Sequence, residues 1–203
     1  MKKVLILTAS FGEGHNTAAR GVHEAIEAMD EDAVVEVLDL FASTYGKLHT
    51  FVRKMHLEMV QRTPRLWAEL YHWLDNAPSL QGKLGVMSKL RDALEEIVER
   101  YQPDCIVSTY PAYGHVIRAL YQDHAERPFR FVTVITDSIS VNSLWYKAPS
   151  DLFCVSNEAT ADILKAGGVA EDIVKAPGFP VSPRFAGIDL PEPAAPGKDR
   201  RVK

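Results

Sequence analysis

The feature that most constrains this chain is an apolar run that passes through two glycines into a helical pattern, within residues 4–29. Residues 4–7 are continuously apolar, which is typical of a strand buried on both faces of a sheet. Gly12 and Gly14 follow, and the next apolar side chains recur at helical spacing, namely Ala18, Val22, Ala25, Ile26 and Met29. The stretch therefore predicts a buried strand, a glycine-rich turn and a helix in sequence.

The glycine-rich turn also predicts an anion site, with Gly12 and Gly14 as candidate phosphate-binding residues. Glycines let a ligand approach the backbone, and the free N–H groups and dipole at a helix N-terminus favour negative charge. The turn is not a dinucleotide fingerprint, since Thr17 occupies the third glycine position, and no Gly-Lys-Ser/Thr follows as in a P-loop. The alternative is a tight crossover that binds no phosphate.

His15 stands where this turn becomes a helix. It lies between a glycine and the polar Asn16, whereas a structural histidine is usually flanked by core residues. A histidine near neutrality can take a proton from a hydroxyl nucleophile. His15 is therefore a candidate general base.

Length and composition are those of a globular α/β domain. The 203 residues suffice for one buried core, and the net charge of −4 argues against nucleic-acid binding as a global property. Cys105 and Cys154 lie in apolar runs without metal-site spacing, so they are predicted to be buried thiols on strands of a cytosolic protein. No apolar run reaches the roughly 20 residues of a membrane span, so any membrane contact is predicted to be peripheral.

Strand and helix patterns alternate along the rest of the chain. The predicted strands are residues 34–40, 104–108, 129–135, 151–155 and 173–176, and the predicted helices are residues 86–101, about 112–125 and 156–164. The first helical connection implies a right-handed crossover between parallel strands. We therefore predict a Rossmann-like, three-layer α/β domain with a mostly parallel sheet over residues 1–185.

Residues 43–76 are too long for one crossover of such a sheet and are predicted to be a helical insert. One interpretation is a membrane-surface or amphiphile-binding face, because interfacial helices pair basic residues with aromatic ones. Its residues would be Arg53, Lys54, Arg62, Arg65, Trp67 and Trp73. The alternative is a helical pair packed on the sheet, with its aromatic rings in the core.

The end of the chain has the composition of a linker. Residues 186–203 are rich in proline and alanine and end on basic residues. That ending is similar to residues 1–4, which lead into the first strand. We therefore expect a second domain to follow.

Three polar clusters follow predicted strands at the edge where parallel sheets bind ligands. They are residues 10–16, 108–115 and 136–145. Asp137 directly follows a buried strand, and we interpret it as a functional carboxylate rather than as a loop or helix cap. His115 is interpreted as a helix-start residue without chemistry.

Four motifs in these clusters and beyond carry a resemblance to a known family. They are Gly12-x-Gly14-His15-Asn16-x-Ala18-Ala19, Ser108-Thr109-Tyr110-Pro111, Thr136-Asp137 followed by Trp145, and Gly178-Phe179-Pro180-Val181. Up to about Phe185 the chain resembles the N-terminal domain of the monogalactosyldiacylglycerol synthase and processive diacylglycerol glucosyltransferase family. These enzymes are related to the lipid-II glycosyltransferase of peptidoglycan synthesis.

The resemblance implies the N-terminal half of a GT-B glycosyltransferase. Such an enzyme would move a hexose from a UDP-sugar, bound mainly by the absent C-terminal domain, to diacylglycerol with inversion, without a metal or other cofactor. The enzyme would be cytoplasmic and would sit peripherally on an anionic membrane, which favours the membrane interpretation of residues 43–76. His15 would be the base, with Asp137 close by. The resemblance places acceptor or phosphate contacts at Gly12, Gly14, Asn16, Tyr110, Pro111, Asn142 and Trp145.

Two positions depart from the family pattern. Glu13 replaces the middle of three glycines, and a carboxylate there would disfavour close approach of a diphosphate. Asn142 stands where the family usually has a histidine, and an amide can hydrogen-bond but does not exchange a proton at neutral pH. The alternatives are therefore a polyprenyl-lipid or sterol acceptor, or a non-catalytic module that docks on anionic lipid.

Overall fold

The computed structural model describes residues 1–63, 85–124, 126–138 and 140–185. Its strands are β1 (Lys3–Thr8), β2 (Val34–Asp39), β3 (Cys105–Ser108), β4 (Arg130–Val134), β5 (Leu152–Cys154) and β6 (Val174–Lys175). They form one sheet in the order β2-β1-β3-β4-β5-β6, and every neighbouring pair is parallel. The prediction of a Rossmann-like α/β domain is confirmed.

The described helices surround this sheet. They are α1 (Glu13–Met29), α2 (Leu40–Tyr45), α3 (Lys47–Arg62), α4 (Gly85–Tyr101), α5 (Ala112–Tyr121) and α6 (Glu158–Ala166), with short 3₁₀ turns at Ser143–Trp145, Glu171–Ile173 and Pro183–Phe185. α2 begins at the residue predicted to end the second strand, because the Asp39 carboxylate caps it by accepting from the Ala42 N–H. α5 ends at Tyr121, before the predicted residue 125.

Alternate residues of β1 point to opposite faces of the sheet and divide the core into layers. Leu5 and Leu7 pack with residues of α4 and α5, whereas Ile6 packs with Ala19 of α1. Both faces therefore carry helices, and the three-layer prediction is confirmed.

The strand order creates a crevice next to β1. Because β1 lies between β2 and β3, the chain winds to one side of β1 first and to the other side from β3 onward. In open α/β sheets, ligands bind at such a switch point, outside the carboxyl ends of the strands. The residues that follow β1 and β3 meet there.

The segment after β6 returns across α1. Gly178, with a φ of +104°, allows the turn that starts this return. A Cβ added at Gly21 would lie 2.7 Å from the Pro180 carbonyl oxygen, so α1 and the segment are in close backbone contact. The Ser182 hydroxyl donates to the Glu24 carboxylate. The end of the described chain is therefore held on α1.

Met29, the last of the apolar residues at helical spacing, is the last residue of α1 and is 87% exposed. One burial prediction is wrong. Cys105 and Cys154 lie on strands as predicted, but they are only half-buried, on the sheet face that α1 covers in part. Burial raises the pKa of both thiols.

Candidate functional site

The crevice at the switch point brings together groups from three strand ends. His15 Nδ1 lies 2.8 Å from the carbonyl oxygen of Thr109, which follows β3. The same nitrogen lies 2.9 Å from the hydroxyl oxygen of Thr136, which follows β4. The three polar clusters identified in the sequence therefore meet at His15.

These contacts determine the tautomer of a neutral His15. A carbonyl oxygen only accepts hydrogen bonds, so Nδ1 carries the ring hydrogen and donates it to Thr109. This assignment follows from the hydrogen-bond network. Nε2 then carries no hydrogen in the neutral ring and is its basic nitrogen. The arrangement suits a general base that accepts a proton at Nε2.

Trp145 connects Asp137 to this histidine. Its indole Nε1 donates to Asp137 Oδ2 at 2.8 Å. The tryptophan is 3% exposed, and its ring centroid lies 6.0 Å from that of His15. Three of the residues singled out in the sequence, His15 from one segment and Asp137 and Trp145 from another, are thus grouped in one site.

Side-chain contacts hold the glycine-rich turn in place from two sides. Asp39 Oδ2 accepts from the Ser10 N–H at 2.8 Å. On the other side, Asn16 Nδ2 donates to the Ser10 hydroxyl at 3.2 Å, and Asn16 Oδ1 accepts from the Thr8 hydroxyl at 3.0 Å. The Asn16 side chain therefore links Thr8 to Ser10 and stabilises the turn. Sequence reasoning missed Asp39, although an aspartate directly before a helical pattern is a capping signal.

Gly12 and Gly14 leave the start of α1 open. Gly12 is the N-cap residue and has no side chain with which to cap this helix end. A Cβ added at either glycine would meet nothing within 4 Å, so packing within the described chain does not demand glycine there. The carboxylate of Glu13 in the first turn lies 3.6 Å from the Arg53 guanidinium of α3. This pair partly offsets the negative charge that Glu13 brings to the turn.

Tyr110 and Pro111 form the wall of the site on the β3 side. The Tyr110 ring centroid lies 5.1 Å from that of His15, edge to face. Burial, with a smaller contribution from Asp39, raises the pKa of Tyr110, so its phenol stays protonated at neutral pH. Pro111 is the N-cap residue of α5.

Tyr110 belongs to a group of rings that we call the aromatic cluster. Its members are Phe11, Phe41, Tyr45, His49, Tyr110 and Tyr113. Phe11 lies in the glycine-rich turn and stacks on Tyr110 at 5.5 Å. Its ring also contacts Phe41 of α2 at 5.5 Å and His49 of α3 at 5.0 Å, which joins the turn to these two helices. Sequence reasoning missed Phe11 and Phe41, and the only available signal was an aromatic residue within a glycine-rich turn.

Asn142 lies under the turn that carries Trp145. Its Oδ1 accepts from the Leu144 N–H at 2.9 Å and caps the 3₁₀ turn. Its Nδ2 is buried and has no hydrogen-bond partner within the described part of the chain. Among the described residues, Asn142 thus keeps a buried donor group unpaired beside the turn that carries Trp145.

The predicted membrane face lies partly on α3. Arg53, Lys54 and Arg62 belong to this helix, and the latter two are exposed. Arg65, Trp67 and Trp73, like the rest of the predicted insert beyond residue 63, lie outside the described residues. Three large apolar side chains of α3 are also solvent-exposed, Leu48 at 56%, Phe51 at 60% and Met55 at 48%. Over the described ranges, no helix is both long and apolar enough to cross a bilayer.

Comparison with known proteins gives the family of the chain. It is 29% identical to a probable chloroplastic monogalactosyldiacylglycerol synthase of Glycine max over 91% of its length, which is 35% of that relative. It is 29% identical to the chloroplastic monogalactosyldiacylglycerol synthase of Spinacia oleracea, covering 91% of the chain and 36% of the relative. It is 24% identical to the processive diacylglycerol beta-glucosyltransferase of Bacillus subtilis, and the match covers 91% of the chain and 47% of the relative.

The chain thus spans between a third and a half of the length of these relatives. The sequence profile described as monogalactosyldiacylglycerol (MGDG) synthase matches residues 15–181, which include most of the site around His15. This match covers well over half of the chain and confirms the resemblance seen in the motifs. The chain therefore belongs to the monogalactosyldiacylglycerol synthase family.

Proposed function

We propose that this chain is the acceptor-binding domain of an inverting GT-B glycosyltransferase that moves a hexose from a UDP-sugar to diacylglycerol. The observation that carries the proposal is His15, whose basic Nε2 belongs to a ring fixed at the switch point of the sheet. The printed names of the relatives support a glycolipid product. The donor would be bound mainly by a further domain after residues 186–203, so we expect the isolated chain to be inactive.

The proposed chemistry begins with the acceptor hydroxyl at His15. Nε2 takes the hydroxyl proton while the acceptor oxygen forms a bond to the anomeric carbon. The bond from that carbon to the diphosphate breaks on the opposite face, UDP leaves with the electron pair, and the configuration inverts. The Asp137 carboxylate, held by Trp145, would stabilise the positive charge that His15 gains. The proposal requires no metal and no cofactor besides the donor.

The aromatic cluster supports a lipid acceptor. Tyr110 lies next to His15, and Phe11 stacks on Tyr110, so the two rings would provide an apolar surface at the crevice. Such a surface would hold the glycerol and upper acyl region of diacylglycerol, while Gly12, Gly14 and Asn142 would contact its polar groups. A polyprenyl lipid or a sterol would use the same surface, so the transfer assay described below compares all three lipids as acceptors.

The exposed face of α3 supports peripheral membrane contact, from the cytoplasmic side. Leu48, Phe51 and Met55 are solvent-exposed apolar side chains on a helix that also carries the basic Lys54 and Arg62. Interfacial helices combine these two classes of side chain, and their basic residues attract anionic lipid. This observation also favours the second candidate function, a module that only docks on anionic lipid.

The test uses the full-length protein with its second domain. Transfer of labelled hexose from UDP-galactose or UDP-glucose is measured with diacylglycerol, a polyprenyl lipid or a sterol in anionic vesicles. We expect a diacylglycerol glycoside and its loss in His15→Asn, because asparagine can still donate to the Thr109 carbonyl but offers no basic nitrogen. If sugar were transferred only to the polyprenyl lipid or the sterol, that lipid would replace diacylglycerol as the proposed acceptor. Vesicle binding without sugar transfer to any acceptor would favour the docking module.

A further inference from the structure

His115 is a buried histidine that the proposed chemistry does not use. It lies in the first turn of α5 and is 5% exposed. Its Nε2 lies 2.9 Å from the Leu144 carbonyl oxygen, which only accepts, so Nε2 carries the hydrogen. Its Nδ1 accepts from an Arg118 guanidinium nitrogen at 3.3 Å. Burial is the main cause that lowers the pKa of His115, which keeps the ring neutral in this network.

Two further contacts dock the same stretch of chain on α5. Arg118 also donates to the Lys147 carbonyl oxygen at 3.1 Å. A Cβ added at Gly114 would lie 2.9 Å from the Ala148 Cβ, so helix and turn touch at this point. Contacts with α5 therefore hold the stretch of residues 143–148 at Leu144, at Lys147 and at Ala148. Of these three contacts from α5, that of His115 is the one nearest to Trp145 along the chain.

We propose that His115 is a positioning residue that, by holding the Leu144 carbonyl, fixes Trp145 where its indole meets the Asp137 carboxylate and packs against His15. The His115 ring contacts the Leu144 carbonyl oxygen, and that carbonyl belongs to the peptide bond between Leu144 and Trp145. The indole Nε1 of Trp145 in turn lies 2.8 Å from Asp137 Oδ2. Without the His115 donor the Leu144 carbonyl oxygen loses its side-chain partner, and the turn gains freedom to shift. The placement of Trp145 is independent of the reaction, whereas the catalytic consequence rests on the proposed function.

The fluorescence of Trp145 tests the placement directly. The chain has three tryptophans, so Trp67→Phe combined with Trp73→Phe leaves Trp145 as the only one. In this background His115→Gln and His115→Asn are compared, because the amide nitrogen of glutamine reproduces the position of Nε2 and that of asparagine does not. His124→Asn, at an exposed position, is the matched control. Emission maximum and acrylamide quenching are measured well below the thermal transition of each variant.

We expect a red shift and stronger quenching for His115→Asn, and values close to those of the parent for His115→Gln and His124→Asn. Unchanged emission and quenching in His115→Asn, or an equal change in both His115 variants, would overturn the proposal. If His115→Asn does not fold, Arg118→Gln decides the question. This variant should give a smaller shift in the same direction, and no shift would contradict the proposal.

The catalytic consequence is measured in the full-length protein. We expect His115→Asn to lower kcat roughly 10- to 100-fold with little change in the KM for the donor, and His115→Gln to restore most of it. An unchanged kcat in His115→Asn would limit His115 to a structural role. If the unmodified enzyme transfers no sugar, the proposed function fails, while the Trp145 fluorescence still decides the placement.

Discussion

Trp145 donates its indole N–H to the Asp137 carboxylate at 2.8 Å, and the same ring lies 6.0 Å from the imidazole of His15. The indole thus lies beside both a carboxylate and an imidazole at the carboxyl edge of the sheet. The indole leaves little freedom to the carboxylate, because a hydrogen bond to a charged acceptor is strong and directional. The position of the negative charge relative to the histidine therefore depends on Trp145.

Replacing Trp145 by phenylalanine should remove this hydrogen bond while keeping an aromatic ring at the position. In the sugar transfer proposed for the full-length protein we expect kcat to fall by roughly tenfold or more, because Asp137 loses the indole donor that orients its Oδ2. Tyr146→Phe, one residue further along, is the matched control and should retain activity. Equal kcat values for Trp145→Phe and the parent enzyme would show that the indole does not position the carboxylate.

Asp39 should contribute to stability through both of its carboxylate oxygens. One accepts from the Ser10 N–H and the other from the Ala42 N–H, each at 2.8 Å. We expect Asp39→Ala to lower the free energy of unfolding by about 2 kcal/mol, and Asp39→Asn, which retains one acceptor oxygen, by about half of that.

Chemical denaturation of the chain measures these differences. Asp30→Ala is the control, because the Asp30 carboxylate accepts from one backbone N–H in an exposed turn. It should change stability by no more than about 0.5 kcal/mol. If Asp39→Asn and Asp39→Ala were equally destabilised, the two oxygens would not act separately.

Gly14 and Gly114 should respond in opposite ways to alanine. A Cβ at Gly114 would collide with Ala148, so we expect Gly114→Ala to cost about 1–3 kcal/mol of stability. Gly14→Ala has free space and lies in a helix, so its melting temperature should be unchanged or slightly higher. Its activity should nevertheless fall, because the methyl group would keep a ligand from the start of α1.

The two glycine variants are compared by thermal melting of the chain and by sugar transfer in the full-length enzyme. A stable Gly14→Ala enzyme with full activity would remove Gly14 from the binding site. A destabilised Gly14→Ala chain would contradict the open environment of this residue.

The α3 surface should determine binding to anionic vesicles. Phe51 is 60% exposed, and serine there removes apolar surface without disturbing the core. We expect Phe51→Ser to reduce co-sedimentation with anionic vesicles, and high salt to reduce it further, because the basic side chains act through screened charge. Met29→Ser, at a position that is 87% exposed on α1, should bind like the parent chain. Equal binding by Phe51→Ser would place the membrane contact elsewhere.

The sequence predicted the elements whose signals are local. The strand, glycines and helix around His15 follow one another directly, so their order alone indicates a crossover and a site at its start. The contacts of Asp39 and His115 were not predicted, for a different reason. Their partners Ser10 and Leu144 lie 29 residues away in each case, and only the folded sheet brings them together. Local pattern carries no information about such pairs.

The measurement that tests the central claim most directly is sugar transfer by the full-length protein and its His15→Asn variant. Both are assayed with UDP-hexose and diacylglycerol in anionic vesicles, and their melting temperatures are compared. We predict that the unmodified protein transfers sugar and that the rate falls about 100-fold or more in the variant, which is the range of general base catalysis. The melting temperature of the variant should change little. An equally active His15→Asn protein, or no transfer by the unmodified protein, would contradict the account.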